Sequence, residues 1–356
     1  MVFLKHGMSI KAFKYLSPLL AYGLAILAFS ERGLLTWSPL FYAWILLPIT
    51  ELFIKPDNKN LSEAEEEMVK KDRLYDYLLY IIVPFQFGAL YYFLTVITQP
   101  GLQWWETVGR IWSMGLLCGT FGINVGHELG HRVNKFEQAL AKTLLMTSLY
   151  MHFFIEHNKG HHKNVATPED PSSARYNEPV YLFYFRTIIF SYLSAWTIAN
   201  DEMKKRRLPA LNWRNEMLLA HIIQFLFIAL IYAVFGWLVT VYFLCAAAIG
   251  IALLETVNYI EHYGLQRKRI SEGKYERAMP MHSWNSNHIL GRLMLFELSR
   301  HSDHHYLASR KYQVLQHHDE APQLPTGYPG SMLLALVPPV WFYVMNKRIR
   351  KLEKKE

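Results

Sequence analysis

The stretch "GHELGHRVN", residues 126–134, contains His127-Glu128-x-x-His131, letter for letter the zinc-protease signature. On a helix, His at i and i+4 share one face and can point at one metal ion. In the protease reading the two His hold Zn and Glu128 is the general base. The alternative is that the pair is a fragment of a larger metal site. The rest of the chain decides between them.

The surroundings are those of a membrane protein. The 356 residues are 52% hydrophobic and 15% aromatic, yet carry a net charge of +8. A helix needs roughly 20 apolar residues to cross the hydrocarbon layer. Six runs approach that length: about 15–30, 37–53, 76–97, 107–126, 217–235 and 237–260. Lys and Arg collect in cytoplasmic loops. The loops near 31–36 and 98–106 and the turn at Gly236 are poor in them, whereas 54–74, 127–215 and 261–356 are rich, with "KKRR" at 204–207. The expectation is an all-α membrane protein: a single domain over 1–356 with six transmembrane helices in the cytoplasmic membrane. Both termini are cytoplasmic, and 127–215 and 261–356 form a cytoplasmic cap. The apolar segments 139–155 and 181–199 are assigned to the cap or the interface, because one further crossing alone would put the next polar motif on the opposite side. Arg110, near the outer end of the fourth run, is expected to snorkel. Cys118 and Cys245 lie in apolar runs and read as packing residues, too few for a thiolate metal site.

Nine of the 16 histidines fall in four short motifs. "HELGH" supplies His127 and His131, and "EHNKGHH" supplies His157, His161 and His162. "NYIEHYGL" supplies His262, and "RHSDHH" supplies His301, His304 and His305. The pairs 127/131, 157/161 and 301/305 all have helical i,i+4 spacing. Every one of these motifs lies on the cytoplasmic side in a topology fixed by Lys and Arg alone. Nine imidazole donors suit Fe, Zn, Cu or Ni. They are too many for one tetrahedral ion and fit two ions of four or five nitrogens each. A zinc protease leaves most of them without a role, and no peptide-binding feature is visible. A metal transporter would line a pore within the spans instead. Glu128 is then expected to hold an imidazole from behind. Glu156, Glu261 and Asp303 each adjoin one of the nine His and are read the same way. His282 and His288, in "HSWNSNH", read as loop hydrogen-bonders, and "PTGYPG" as a structural turn.

At these residues the chain resembles the integral-membrane alkane hydroxylases, or alkane 1-monooxygenases. They form part of the histidine-box family that includes fatty-acyl desaturases and xylene monooxygenases. "HELGHR", "EHNKGHH" and "HSDHH" match the family's boxes, and "NYIEHYGL" at 258–265 is most particular to the alkane hydroxylase branch. "ATPEDP" at 166–171, "HSWNSNH" at 282–288 and "LPTGYPG" at 324–330 are also similar. In "LSRHSDHH" the chain departs from the family, with Ser299 where members commonly carry Gln. The resemblance implies that the nine His hold two non-haem iron ions. It also implies O₂-dependent hydroxylation of a terminal methyl group of medium- or long-chain n-alkanes. Electrons then come from rubredoxin, itself served by a rubredoxin reductase. A histidine-box enzyme acting on xylene-like or fatty-acyl substrates is the alternative.

An unactivated C–H bond offers no polar handle, so a redox metal has to act on it within a dry cavity. In this family a large residue on the second helix can stop the alkane chain. Ala43, in "LFYAWILL", is expected to leave that channel open to longer alkanes. Arg132, Lys135, Lys159 and Lys163 flank the His motifs and are expected to dock an acidic rubredoxin by opposite charge. The 204–207 run suits topology or anionic lipid equally well. No nucleic-acid partner is expected.

Overall fold

The computed structural model describes residues 11–354 of the expected 1–356 domain. Among them the only sheet is a two-stranded hairpin, Arg269–Ser271 with Lys274–Tyr275. Helices α1 (Phe13–Ser30), α2 (Gly33–Phe53) and α3 (Leu74–Val96) form the N-terminal part. The helical stretch α4, 104–130, joins Trp104–Leu117, a π-helical turn Cys118–Ile123, and Asn124–Gly130. Helix α5 is Lys135–Met146. Stretch α6, 153–164, again has a π-helical centre at His157–His161. Helix α7 is Val180–Lys205, and α8 (Glu216–Phe235) and α9 (Trp237–His262) form a hairpin turned at Gly236. Helix α10 is His301–Tyr306, and α11 (Tyr328–Ala335) meets α12 (Pro338–Glu353) at a bend of 119°.

Among the described residues six helices are long and apolar enough to cross a membrane, and the set differs from the six expected runs. Helix α7 qualifies and the run 107–126 does not. Gly109, Gly115, Gly119 and Gly122 with Arg110 dilute the apolar character of that run, and the π turn divides it. Stretch α4 is the packed axis of the molecule, running from the cation-poor loop at 98–106 to the histidine end, and it is less apolar than the helices around it. Gly115 and Gly119 lie against Ile249, Leu253 and the carbonyls of Ala246 and Gly250, and a Cβ on Gly250 would come within 2.7 Å of the Cys118 Cβ. Small residues let membrane helices approach this closely. Running side by side, α4 and α9 carry His127 and His262 to the same end.

At the other end, the two cation-poor loops meet. Arg32 donates to the Pro100 carbonyl at 3.0 Å, and Gly33 N donates to Glu106. Arg110 does not snorkel. It is fully buried and donates to the carbonyls of Ala28, Val96 and Glu31 at 3.1, 2.9 and 2.9 Å. Those oxygens belong to the last turns of α1 and α3 and the residue after α1, which lack partners within their own helices. The guanidinium therefore caps two helices at once, which favours burial over exposure.

Helix α7 lies across the site end of the α8–α9 hairpin. Near its start Tyr184 Oη meets Thr256 Oγ1 at 2.6 Å and Thr187 Oγ1 donates to Glu255 at 2.9 Å. Further on, Tyr192 Oη meets His221 at 3.0 Å and Asn200 accepts from Asn215 at 3.1 Å. Residues 255–256 and 215–221 belong to the same end of the hairpin, so α7 bridges its two limbs. Leu182, Phe185, Ile189 and Leu193 point outward and are exposed. Segment 139–155 contains the last eight residues of α5, a turn and the first three residues of α6, no helix of which is long enough to span.

Candidate metal centre

Four elements deliver the nine imidazoles to one place. His127 and His131 lie at the end of α4, His157, His161 and His162 on α6, His262 on the last residue of α9, and the rest on α10. Their nitrogens converge on two points: five from His127, His131, His157, His162 and His304, and four from His161, His262, His301 and His305.

The distances are those of a coordination shell. In the five-nitrogen group, Nε2 of His127 is 3.0 Å from that of His304 and 3.0 Å from that of His131. His162 Nε2 lies 3.0 Å from His157 and 3.1 Å from His304. In the other group His161 and His305 are 3.2 Å apart, and His301 and His262 3.1 Å. With metal–nitrogen bonds of about 2.1 Å, ligands in one shell sit roughly 3 Å from each other. Burial, reinforced by neighbouring imidazoles, pushes His127, His131, His157, His162, His301 and His305 well below the ordinary histidine range, and His304 down to about 3. Neutral rings keep the lone pair a metal requires. The donor set therefore fits transition-metal ions of the imidazole-binding kind.

The division between the groups departs from helical spacing at one point. His127 and His131 share a group, as do His301 and His305, but His157 pairs with His162 and not with His161. The turn His157–His161 is π-helical, with i→i+5 hydrogen bonds, so residue i+5 comes round over residue i. The extra residue in that turn sends the adjacent His161 and His162 to different groups.

The acidic neighbours behave differently from expectation. Glu128 accepts from Arg132 at 2.6 Å and from Tyr312 N at 3.2 Å, not from an imidazole. Asp303 accepts from Arg310 at 3.0 Å, Gln316 N at 2.9 Å and His318 at 2.7 Å, none of them among the nine. Glu156 meets Ser194 Oγ at 3.5 Å, and burial raises it to about 8. Glu261 takes a hydrogen bond from Tyr328 Oη at 2.7 Å and lies 3.2 Å from His301 Nε2, at the rim of the four-nitrogen group. Glu128 and Asp303 thus turn to partners outside the nine, whereas Glu261 reaches the same His301 Nε2 that its neighbour His262 approaches at 3.1 Å. The carboxylate that does orient an imidazole is Asp170, in "ATPEDP". Its Oδ2 is 2.9 Å from His161 Nδ1 and takes the Ser173 hydroxyl, while Oδ1 takes Ser172 N at 3.0 Å. Asp170 is nine residues from His161, with no spacing signal; only the motif's resemblance marked the stretch.

The expected docking cations also separate. Arg132 is buried, paired with Glu128 and 3.7 Å from Asp76, so it belongs to the interior. Lys159 is held by Glu202 at 2.6 Å. Lys135 and Lys163 are exposed and follow His131 and His162, the two half-buried rings of the nine, by four residues and one residue in the chain.

An apolar cavity of about 80 Å³ lies near the histidine-bearing segments, with no histidine in its lining. Thr120 and Asn124 of α4, Leu254 of α9 and Leu298 line it within about two turns of ligand-bearing residues, and Ala43 and Trp44 of α2 line its other side.

Residues 103–332 match the fatty acid desaturase family. An alkane 1-monooxygenase 2 from Pseudomonas aeruginosa is 41% identical over 316 residues, 88% of this chain and 84% of the relative. An alkane 1-monooxygenase from Pseudomonas putida is 39% identical, over 87% of this chain and 78% of the relative. Identity falls to 26%, over 68% of this chain and 64% of the relative, for the hydroxylase component of a Pseudomonas putida xylene/toluene monooxygenase.

Because Asp170 fixes the ring of His161, Asp170→Ala should weaken metal binding by about 10–100-fold. Chelator competition followed by metal analysis measures it, and unchanged affinity would remove Asp170 from the support of the site.

Proposed function

The chain belongs to the alkane 1-monooxygenases, within the fatty acid desaturase family. From that membership we propose that it hydroxylates the terminal methyl group of medium- and long-chain n-alkanes at two non-haem irons, with electrons from rubredoxin. The observation that carries the reading is the presence of five- and four-nitrogen groups together with an apolar cavity lined in part by residues within about two turns of them. When bound, the irons supply the redox chemistry that an unactivated C–H bond demands. The protein's residues do the rest. The nine His set the coordination, and Asp170 holds His161. The cavity wall aligns a chain that offers no hydrogen bond and keeps water away from it. Each turnover consumes O₂, two electrons and two protons and releases alkanol and water.

Cation-rich loops on the site side support a cytoplasmic location for the His groups and both termini, in the cytoplasmic membrane. Helix α7, bridging one end of the hairpin with an exposed apolar face, suits a place at the interface rather than a span. Electrons arriving from a soluble rubredoxin enter most directly at the half-buried edges of His131 and His162, where Lys135 and Lys163 stand ready to steer an acidic partner. The falling identity toward the xylene enzyme favours linear alkanes over xylene-like substrates.

Purified protein should hold two irons per chain and take up O₂ with octane when rubredoxin and its reductase are supplied. His262→Ala should lose iron and uptake together. A chain that holds zinc, or that takes up O₂ without forming octanol, would end this reading. Ala43→Trp places an indole in the cavity and should shift products from a mixture of octane and hexadecane toward octanol. An unchanged product ratio, read by gas chromatography, would put the alkane elsewhere. Turnover limited by rubredoxin should fall as salt rises from about 0.05 to 0.5 M. Lys163→Glu should raise the apparent KM for rubredoxin at constant iron content, and a salt-independent rate with a silent reversal would move the docking face.

A further inference from the structure

Glu51 is an acid inside a membrane helix, where ionisable residues are rare and usually functional. It is 4% exposed. Its Oε1 accepts from Gly291 N at 2.7 Å, while its Oε2 is buried with no hydrogen-bond donor among the described residues. An unmatched buried acceptor is costly unless a donor arrives.

Gly327 makes room for that oxygen. A Cβ on Gly327 would collide with Glu51 Oε2. Gly327 has φ −60° and ψ 171°, backbone that any residue adopts, so the glycine of "PTGYPG" is required by the carboxylate and not by a turn. Glu51 and Gly327 both line a groove of about 830 Å³, within the range of sites for small organic ligands. Its apolar walls include Ile49 and Leu52 of α2 and Leu333 and Leu334 of α11. Ile49 and Leu52 are 50% and 71% exposed, so the groove opens toward lipid. Trp44 lines both this groove and the apolar cavity near the histidine-bearing segments. Gly291, which donates to Glu51, and Tyr328, next to Gly327, line the cavity as well.

The occupant must therefore bring an apolar chain and one hydrogen-bond donor. An alkane has no donor. A phospholipid headgroup or a fatty carboxylate brings negative charge toward a carboxyl group. A primary alcohol has both features, and on the hydroxylase reading it is formed in the adjoining cavity. We propose that this groove binds the long-chain primary alkanol product on its way to the bilayer, its hydroxyl donating to Glu51 Oε2. The alcohol gains a hydrogen bond there that the alkane cannot make, so the groove separates product from substrate.

The test uses full-length protein in lipid nanodiscs, dodecan-1-ol carrying a diazirine in its chain, and the matching dodecane probe without the hydroxyl. After photolysis the alcohol probe should label residues within 44–56 and 325–334, with the alkane probe about tenfold weaker there. Glu51→Met should remove that tenfold preference. Leu333→Trp, which fills the groove and leaves Glu51 in place, should abolish labelling even if the Glu51 variant fails to fold. Equal labelling by both probes, labelling confined to other segments, or undiminished labelling in Leu333→Trp would overturn the proposal. The readout does not depend on turnover. A chain that labels as expected yet makes no alkanol would sink the hydroxylase reading and leave the groove as an alcohol site.

Discussion

Nine imidazole nitrogens brought to within about 3 Å of their neighbours repel one another unless positive charge stands between them. That convergence is the constraint on which the remaining architecture depends. No single helix can present five nitrogens to one point and four to another, so α4, α6, α9 and α10 must all end or turn at the same level. The glycine-lined contact of α4 with α9 sets two of these elements side by side. Arg110 ties the far ends of α1 and α3 to α4, and α7 braces the near end of the hairpin. Helix packing, caps and buried ion pairs thus serve one local demand.

Charge within the cap is organised inward as much as outward. Arg132 and Glu128 lie one helical turn apart and neutralise each other beneath the five-nitrogen group. Asp303 gathers Arg310 and His318 behind α10. These contacts hold the segments that carry the ligands, and they keep most of the nearby cationic charge away from rings that must remain neutral. Among the described carboxylates Asp170 is the one that reaches the Nδ1 of one of the nine imidazoles, and it does so from a loop fixed by Ser172 and Ser173.

Much of this was legible in the sequence, for identifiable reasons. Apolar length and Lys/Arg bias are summed properties, and they revealed a helical membrane protein with its histidines gathered at one end. Six of the nine histidines stood out because i,i+4 spacing is local, His162 and His304 because they adjoin such pairs, and His262 by its place just past the last apolar run. What escaped depends on contacts between distant segments. The sorting of His161 away from His157 turns on one π turn, which no spacing rule announces. Adjacency suggested that Glu128, Glu156 and Asp303 would face imidazoles, but neighbouring residues on a helix point about 100° apart. Arg132 looked like surface charge until Asp76 and Glu128 were seen to enclose it. Glu51 has its partner far along the chain and Asp170 meets His161 at no regular spacing, and composition treats both as unremarkable acids. The run 107–126 is less apolar than the helices around it because the glycines that lower its hydropathy are the same ones that allow close packing.

The half-buried rings of His131 and His162 both belong to the five-nitrogen group, whereas His161, His262, His301 and His305 are all sealed. Two ions held here would not be interchangeable. One would sit behind a single layer of imidazole at the protein's edge, and the other would sit deeper, with the Glu261 carboxylate at its side. An asymmetry of that kind gives direction to a two-ion centre, with a face toward the outside and a face turned inward. It arises from nothing more than which histidine rings the surrounding helices leave uncovered.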